Sequence, residues 1–547
     1  MPSSDVQSTS RASRPFACGI AALGSAVALS ARAADPPTLV VYVDQSAPAA
    51  GQDGTSWNHA FRNLQDAIQF AKNAISLTPS DLEIRVAQGV YKPDRATFDR
   101  AAIFDLSFAL ASGMTLTIAG SYAGVGAAHP DQQDFVATRT VLSGDLRGDD
   151  APSWSNRDDN SLQVAQITLA AGSARILGVT FAAGYCGDNN VGRTGASGLQ
   201  VELGRQASGL CIMENCSFEE NWTISGQGGG FFANVRGVSL ASTSFRMNRC
   251  DAGYGGGAFV NTVPFIGSSV QDCIFEGNSA IRGGGLYREN YEGVRRCVFV
   301  SNSASERGGG ICGTGGPSVC LFVRNSAGVA GGALAGKWPS ATWCTFVDNT
   351  APSGSAITID GTDVSVRYSI LWTSAPSAAS LIRLDDKVHN SLILRSVIRG
   401  GGGAIEVVSF APTIIEVKDA DPLFIRPGQP QDPYTHWTQW NYRLKTGSPA
   451  IGIADSLGGM DLDRLYFFEN GKPDAGAYFA SHRPCSADLN QAYPRIVDDA
   501  DFEIFVSAYY LLVSPPADPR ADLNRDGLVD DADFLLFVVA YDQLLCP

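Results

Sequence analysis

The chain has 547 residues, 44% hydrophobic and 17% charged, so it can bury a large core. Its 40 basic and 55 acidic residues leave a net charge of −15, which argues against a nucleic-acid partner. Beyond the N-terminus no apolar run approaches the ~20 residues of a membrane-crossing helix, so the expectation is a chain that is exported and then soluble or held at a surface.

Residues 1–34 read as a secretion signal. Arg11 and Arg14 supply the basic region, Phe16 to Ser30 is apolar and small, and Ala31-Arg32-Ala33 offers a cleavage site. Residues 35–104 read as an N-terminal cap with the first strands. Leu39 to Asp44 and Leu82 to Val86 are strands. Between them Leu64 to Ala74 is an amphipathic helix, with Leu64, Ala67, Ile68, Ala71 and Ile75 on one face. Residues 120–160 are an irregular excursion containing Asp145, Asp149, Asp150, Asp158 and Asp159, a carboxylate-rich loop that offers oxygen to Ca²⁺ or is simply solvated.

From residue 216 to 349 one phrase recurs: an aromatic, two residues, an asparagine, then glycines. It runs Phe218 to Asn221, Phe245 to Asn248, Phe275 to Asn278, Phe299 to Asn302, Phe322 to Asn325 and Phe346 to Asn349. A phrase that returns every ~25 residues marks a solenoid. The units carry Cys, Val, Ile, Thr, Phe and Gly with apolar residues at alternate positions, so each turn is built of short strands and not helices. Stacking turns at about 4.8 Å places like residues above one another. The expectation is an inward Phe ladder, a Cys ladder (Cys216, Cys273, Cys297, Cys320, Cys344) and an Asn ladder at a turn whose side chains bond neighbouring coils. Glycine clusters suit corners needing positive φ or close backbone approach.

This phrase resembles the repeats of bacterial polymorphic outer-membrane proteins, within the right-handed parallel β-helix family that also contains the pectin-lyase fold. Val41-Tyr42-Val43-Asp44, Gly54-Thr55-Ser56-Trp57 and Gly89-Val90-Tyr91-Lys92-Pro93 look like the opening of secreted bacterial β-helix proteins. The resemblance implies an all-β fold, a right-handed parallel β-helix over residues 105–480 with an N-terminal cap helix; the acidic residues 485–547 are read separately as a small α-helical, Ca²⁺-binding C-terminal module. The aromatic cluster Tyr434, Trp437, Trp440 and Tyr442 is expected to pack over the C-terminal end of the solenoid or to stack sugar rings.

Residues 485–547 hold 12 acidic and 3 basic residues, a net of −9, so most of the charge excess lies in this tail. The tail is an internal duplication. Asp501, Phe502, Phe505, Tyr509 and Leu512 match Asp533, Phe534, Phe537, Tyr541 and Leu544, all at one constant offset. In the second copy Asp522, Asn524, Asp526, Asp530 and Asp533 fall at positions 1, 3, 5, 9 and 12 of an EF-hand-type loop, with Gly527 at 6 and the Leu528 carbonyl at 7. The first copy keeps Asp488, Asn490, Asp498 and Asp501 but has Ala492 at the fifth position and no glycine, so its site is weak or empty. Two such loop–helix units look like a dockerin type I module, which implies a cohesin-like or surface-anchoring partner. Cys485 and Cys546 bracket the module and offer it a disulfide.

No catalytic pattern of the pectin-degrading families is present, and only five histidines occur. Arg282 and Arg307 both precede glycine triplets and are one repeat period apart, so they are expected to stack in neighbouring coils, with Glu289 and Asp272 completing a polar groove for an anionic sugar. Two functions stay open: a secreted or cell-surface protein for adhesion or polysaccharide binding, or a polysaccharide lyase or glycoside hydrolase acting on uronates in the groove.

Overall fold

The computed structural model describes residues 38–547 except 79, 95, 188–194, 204–208, 263–267, 290–292, 338–339, 362, 375–378, 386–387, 389, 429–439, 446, 455–460, 463–471, 479–488, 490–496, 498, 512–517, 524–527 and 544–547. The expected secretion signal therefore lies outside the described residues, as do Cys485 and Cys546.

Each coil visits three sheets in turn. One coil runs Ser269–Gln271 in the first sheet, Ile274–Glu276 in the second, Ser279–Arg282 at a corner and Leu286–Glu289 in the third, then returns to the first at Gly293–Arg295. Among the described residues the first sheet has thirteen strands, from Thr38–Val43 to Thr413–Ile415. The second and third have eleven each, ending at Val397–Ile398 and Ile405–Val407, and a six-stranded sheet forms the corner. Every pairing within these four sheets is parallel, so the molecule is a parallel β-helix, as the repeat implied. Its coils begin at Thr38, inside the segment read as the cap.

The three ladders form. Phe181, Phe218, Phe245, Phe275, Phe299, Phe322 and Phe346 stack inside the second sheet, with ring centroids 4.6 to 5.2 Å apart. All seven are fully buried, each stabilising the fold by roughly 2 kcal/mol. The asparagines satisfy one another. Asn278 Nδ2 donates to the Phe245 carbonyl of the preceding coil and to Asn302 Oδ1 of the next, and Asn278 Oδ1 accepts from the backbone N–H and Nδ2 of Asn248. The ladder cysteines are buried free thiols; Cys297 Sγ–H, for example, is directed at the Arg295 carbonyl at 3.3 Å. The glycine runs do both expected jobs: Gly283 has φ +64°, and a Cβ on Gly284 would stand 2.2 Å from the Ser303 carbonyl oxygen.

At the N-terminal end a helix, α1 (Leu64–Leu77), buries the five apolar residues read from the sequence and packs against the strands Thr38–Val43, Asp81–Ala87 and Phe104–Asp105. The C-terminal segment does something the sequence reading did not foresee. Phe424–Arg426 and Asn441–Leu444 form an antiparallel pair. Phe424, Tyr442, Leu444, Ala450, Ala475 and Ala477 pack on the outer face of the second sheet, against Val298, Val300, Leu321, Val323, Val347 and Ile370. Tyr442 and Trp440 thus lie on the flank of the solenoid and not over its end, with Arg324 4.2 Å from the Trp440 ring; Tyr434 and Trp437 are outside the described residues.

Candidate functional site

The outer face of the third sheet carries one column of residues in register: Phe232, Phe259, Tyr287, Cys312, Ala335, Thr358, Arg383 and Glu406. The first three are aromatic and stack, Phe232 on Phe259 at 5.4 Å and Phe259 on Tyr287 at 5.2 Å. Tyr254 joins from the corner, 4.7 Å from Tyr287. The column then shrinks to Cys312 and Ala335. Small side chains between large ones leave a depression of about 430 Å³, walled by Arg282, Tyr287, Glu289, Arg307, Lys337 and Asp360.

Arg282 and Arg307 are register partners in adjacent corner strands, so their stacking in neighbouring coils is observed. Like charges one rung apart repel, and carboxylates offset this. Arg282 Nε meets Glu306 Oε2 at 2.6 Å, and Arg307 Nη1 meets Asp360 Oδ2 at 2.7 Å. The Glu306 hydrogen bond holds Arg282 more firmly protonated than usual. Arg282 also sits 5.4 Å from the Tyr254 ring, a cation–π contact.

One coil further a second polar group adjoins the first. Arg383 bridges Asp385 and Glu406, at 2.7 Å each, and the hydroxyls of Ser353 and Ser380 donate to Glu406. The Asp385 carboxyl neighbours that of Asp360. Burial and this neighbour push Asp360 up to about 6. For Asp385 burial acts upward, but the interaction with Asp360 and the pairing with Arg383 outweigh it and hold it below the usual carboxylate range. Two carboxyls whose affinities for a proton are pushed apart form an acid–base pair.

The fold thus brings Arg282, Arg307 and Glu289 together. Asp272 goes elsewhere. It occupies the corner between the first and second sheets with φ +55° and binds Arg296 Nε at 2.7 Å. Sequence reasoning missed Tyr254, Tyr287, Lys337, Asp360, Arg383 and Asp385. Asp360 and Asp385 have the same spacing that singled out the two arginines, and reading acidic residues at the coil period would have found them.

In the tail, α2 (Asp499–Leu511) and α3 (Asp531–Gln543) carry the duplicated helices. Asp522 and Asp533, the first and last loop positions, are 6% and 0% exposed, and Asp501 is 0% exposed. Asp533 Oδ2 accepts from the Asp530 N–H at 3.0 Å, and Asp530 Oδ1 accepts from the Ala532 N–H at 2.8 Å, capping α3. Leu528 is exposed. Asn524 and Asp526, and in the first copy Asp488, Asn490 and Asp498, are outside the described residues.

No family model matches this chain, and no curated protein matches it. Among solved structures, the crystal structure of pectate lyase Pel9A aligns with 82% of this chain and 97% of that one, at 11% identity and a TM-score of 0.41. Among the described residues no helix is long and apolar enough to cross a membrane. The parallel β-helix rests on the strand pairing of this chain itself.

Proposed function

We propose that this chain is an exported, extracellular or cell-surface right-handed β-helix protein that binds an acidic polysaccharide along the third sheet. The observation that carries the reading is the junction of a stacked aromatic column with Arg282, Arg307 and Lys337 around one depression. Aromatic faces suit the apolar faces of sugar rings, and guanidinium groups suit uronate carboxylates. Residues 1–34, read as a secretion signal, fit delivery to such a glycan.

The tail reads as a Ca²⁺-dependent anchoring or sorting module. Asp522, Asn524, Asp526, the Leu528 carbonyl, Asp530 and Asp533 would hold the ion. The fall of these oxygens at loop positions 1, 3, 5, 7, 9 and 12, with Gly527 at 6, supports this. A cohesin-like or surface partner would then attach the module.

A second reading, a lyase or hydrolase on uronates, draws on the Asp360–Asp385 pair beside the same depression. Incubating residues 35–547 with uronate and neutral polysaccharides plus Ca²⁺ separates the two. Retention of the uronate polymers without unsaturated products or new reducing ends supports binding; product release supports the enzyme; no retention and no release removes both.

A further inference from the structure

The two ends of the solenoid are finished differently. At the N-terminal end α1 packs on the first strand, Thr38–Val43, and the inward residues Val41 and Val43 are fully buried. At the other end the last strands of the first and third sheets are Thr413–Ile415 and Ile405–Val407. Among the described residues each pairs only with the coil below it, with Asn390–Leu394 and Ile382–Leu384 respectively. Their outer edges therefore present a row of backbone donors and acceptors for a further strand.

The core is open at the same place. Ile414 stands directly above Ile393, and Val407 above Leu384. Ile393 and Leu384 are each 1% exposed, whereas Ile414 is 43% and Val407 38% exposed. The positions are equivalent, so the difference arises because no further coil lies on the second pair among the described residues. Val408 and Ile415 extend this apolar surface. Unpaired edges around exposed core residues are what a solenoid end has to cover.

The described part of the chain that follows turns away from this end. Phe424, Tyr442, Leu444 and Ala477 lie on the outer face of the second sheet, along the flank. Charge does not bar a like surface from approaching. Glu406 and Glu416, the acidic residues beside the two last strands, are paired with Arg383 and Arg395 of the coil below, at 2.7 and 2.8 Å.

A partner for this end must offer open strand edges set around an open core, at the spacing of the two sheets. The same end of a second copy offers both. The N-terminal end of another copy does not, because α1 closes it. Copies therefore cannot add head to tail without limit, and the contact is self-complementary and closes at two.

We propose that two copies of this chain dock through their last coils. Ile414 and Val407 of each copy enter one core that continues across a two-fold axis, and the edges of Thr413–Ile415 and Ile405–Val407 pair across it.

Sedimentation equilibrium of residues 35–547, from about 1 to about 100 µM, reads the assembly. A dimer is expected. Ile414→Lys should weaken it roughly tenfold or more, because each dimer would bury two unpaired ammonium groups. The single chain should keep its fold, since from so exposed a position the ammonium reaches water, and circular dichroism checks this. Where Ile414→Lys misfolds, Val407→Lys puts the same question. Hydrogen exchange gives an independent reading: the amides of residues 413–415 should exchange more slowly in the dimer than in the lysine variant. A chain that stays monomeric throughout this range overturns the proposal. So does a dimer that both lysine variants leave intact, which would be joined elsewhere.

Discussion

The Tyr509 hydroxyl donates to the Asp531 carboxylate, and its counterpart in the second copy, Tyr541, donates to Asp499. Each copy of the tail therefore fastens the start of the other copy's helix. Phe505 and Phe537, equivalent positions of the two copies, stack between them at 4.9 Å. The duplication legible in the sequence is thus expressed as a pair of helices sharing one small core with Leu489, Val497 and Leu523.

An ion held by this loop would screen its closely spaced carboxylates from one another, and removing it would leave them to repel. A Ca²⁺ chelator should therefore speed protease cleavage within residues 485–547 of the full chain while the coils resist. Asp522→Ala should be cleaved at the chelated rate even with Ca²⁺ present. Cleavage sites mapped by mass spectrometry check this, and an unchanged tail pattern under chelation contradicts it.

The Asn ladder makes a sharp stability prediction. Asn278→Ala leaves the Phe245 carbonyl, the Asn302 Oδ1 and two donors of Asn248 short of a partner inside the core. The cost should be about 3 kcal/mol or more. Phe275→Ala should cost roughly 3–5 kcal/mol through the cavity it opens in the ring stack. Denaturant unfolding of the two variants measures both.

The thiols should be silent. Burial pushes Cys211, Cys216, Cys250 and Cys312 up to about 12, and moves Cys273, Cys297 and Cys320 well above the usual thiol range. Since the thiolate is the reactive form, a disulfide reagent should label none of these in the native chain and all of them in denaturant. Rapid native labelling of Cys297 or Cys320, located by peptide mapping, is the contrary result.

The groove should respond to pH. Asp360 titrates in the folded chain near 6, above the ordinary 3.8, so its protonation favours the folded state: that contribution is full below about 3.8 and lost as pH rises through 6. Asp385 is shifted the other way, and its contribution is lost only on acidification below 3.8. Between these limits one proton sits on the pair and the groove is one charge more positive. Affinity for a uronate polymer should rise from about pH 7.5 to about pH 5, and Asp360→Asn should flatten the profile. A wild-type profile that is already flat speaks against the shared proton.

Much of this architecture is legible because a solenoid repeats its physics: the same residue meets the same neighbours each turn. Phe, Cys and Asn at one spacing announce three ladders, and a glycine triplet announces a corner. The flank cover escaped for a related reason. Early strands such as Ser217–Glu219 alternate polar and apolar, whereas Val298–Val300 and Leu321–Val323 are apolar on both faces. That change marks where the second sheet gains a covering layer, and it was readable. Which segment supplies the cover was not, since Phe424 and Tyr442 are far along the chain from the valines they meet. Asp272 stands apart from the arginines because, in a coil, residues a few positions apart occupy different corners, whereas residues one period apart are neighbours.

The central claim is a glycan-binding groove around Arg282 and Arg307. The most direct measurement is the affinity of residues 35–547 for polygalacturonate and for a neutral glucan at low and high salt, in the wild type and in Arg282→Ala/Arg307→Ala. The account predicts uronate binding that weakens with salt, falls roughly tenfold or more in the double variant and exceeds binding to the neutral polymer. Equal affinity of the wild type and the folded double variant for the uronate polymer would contradict it.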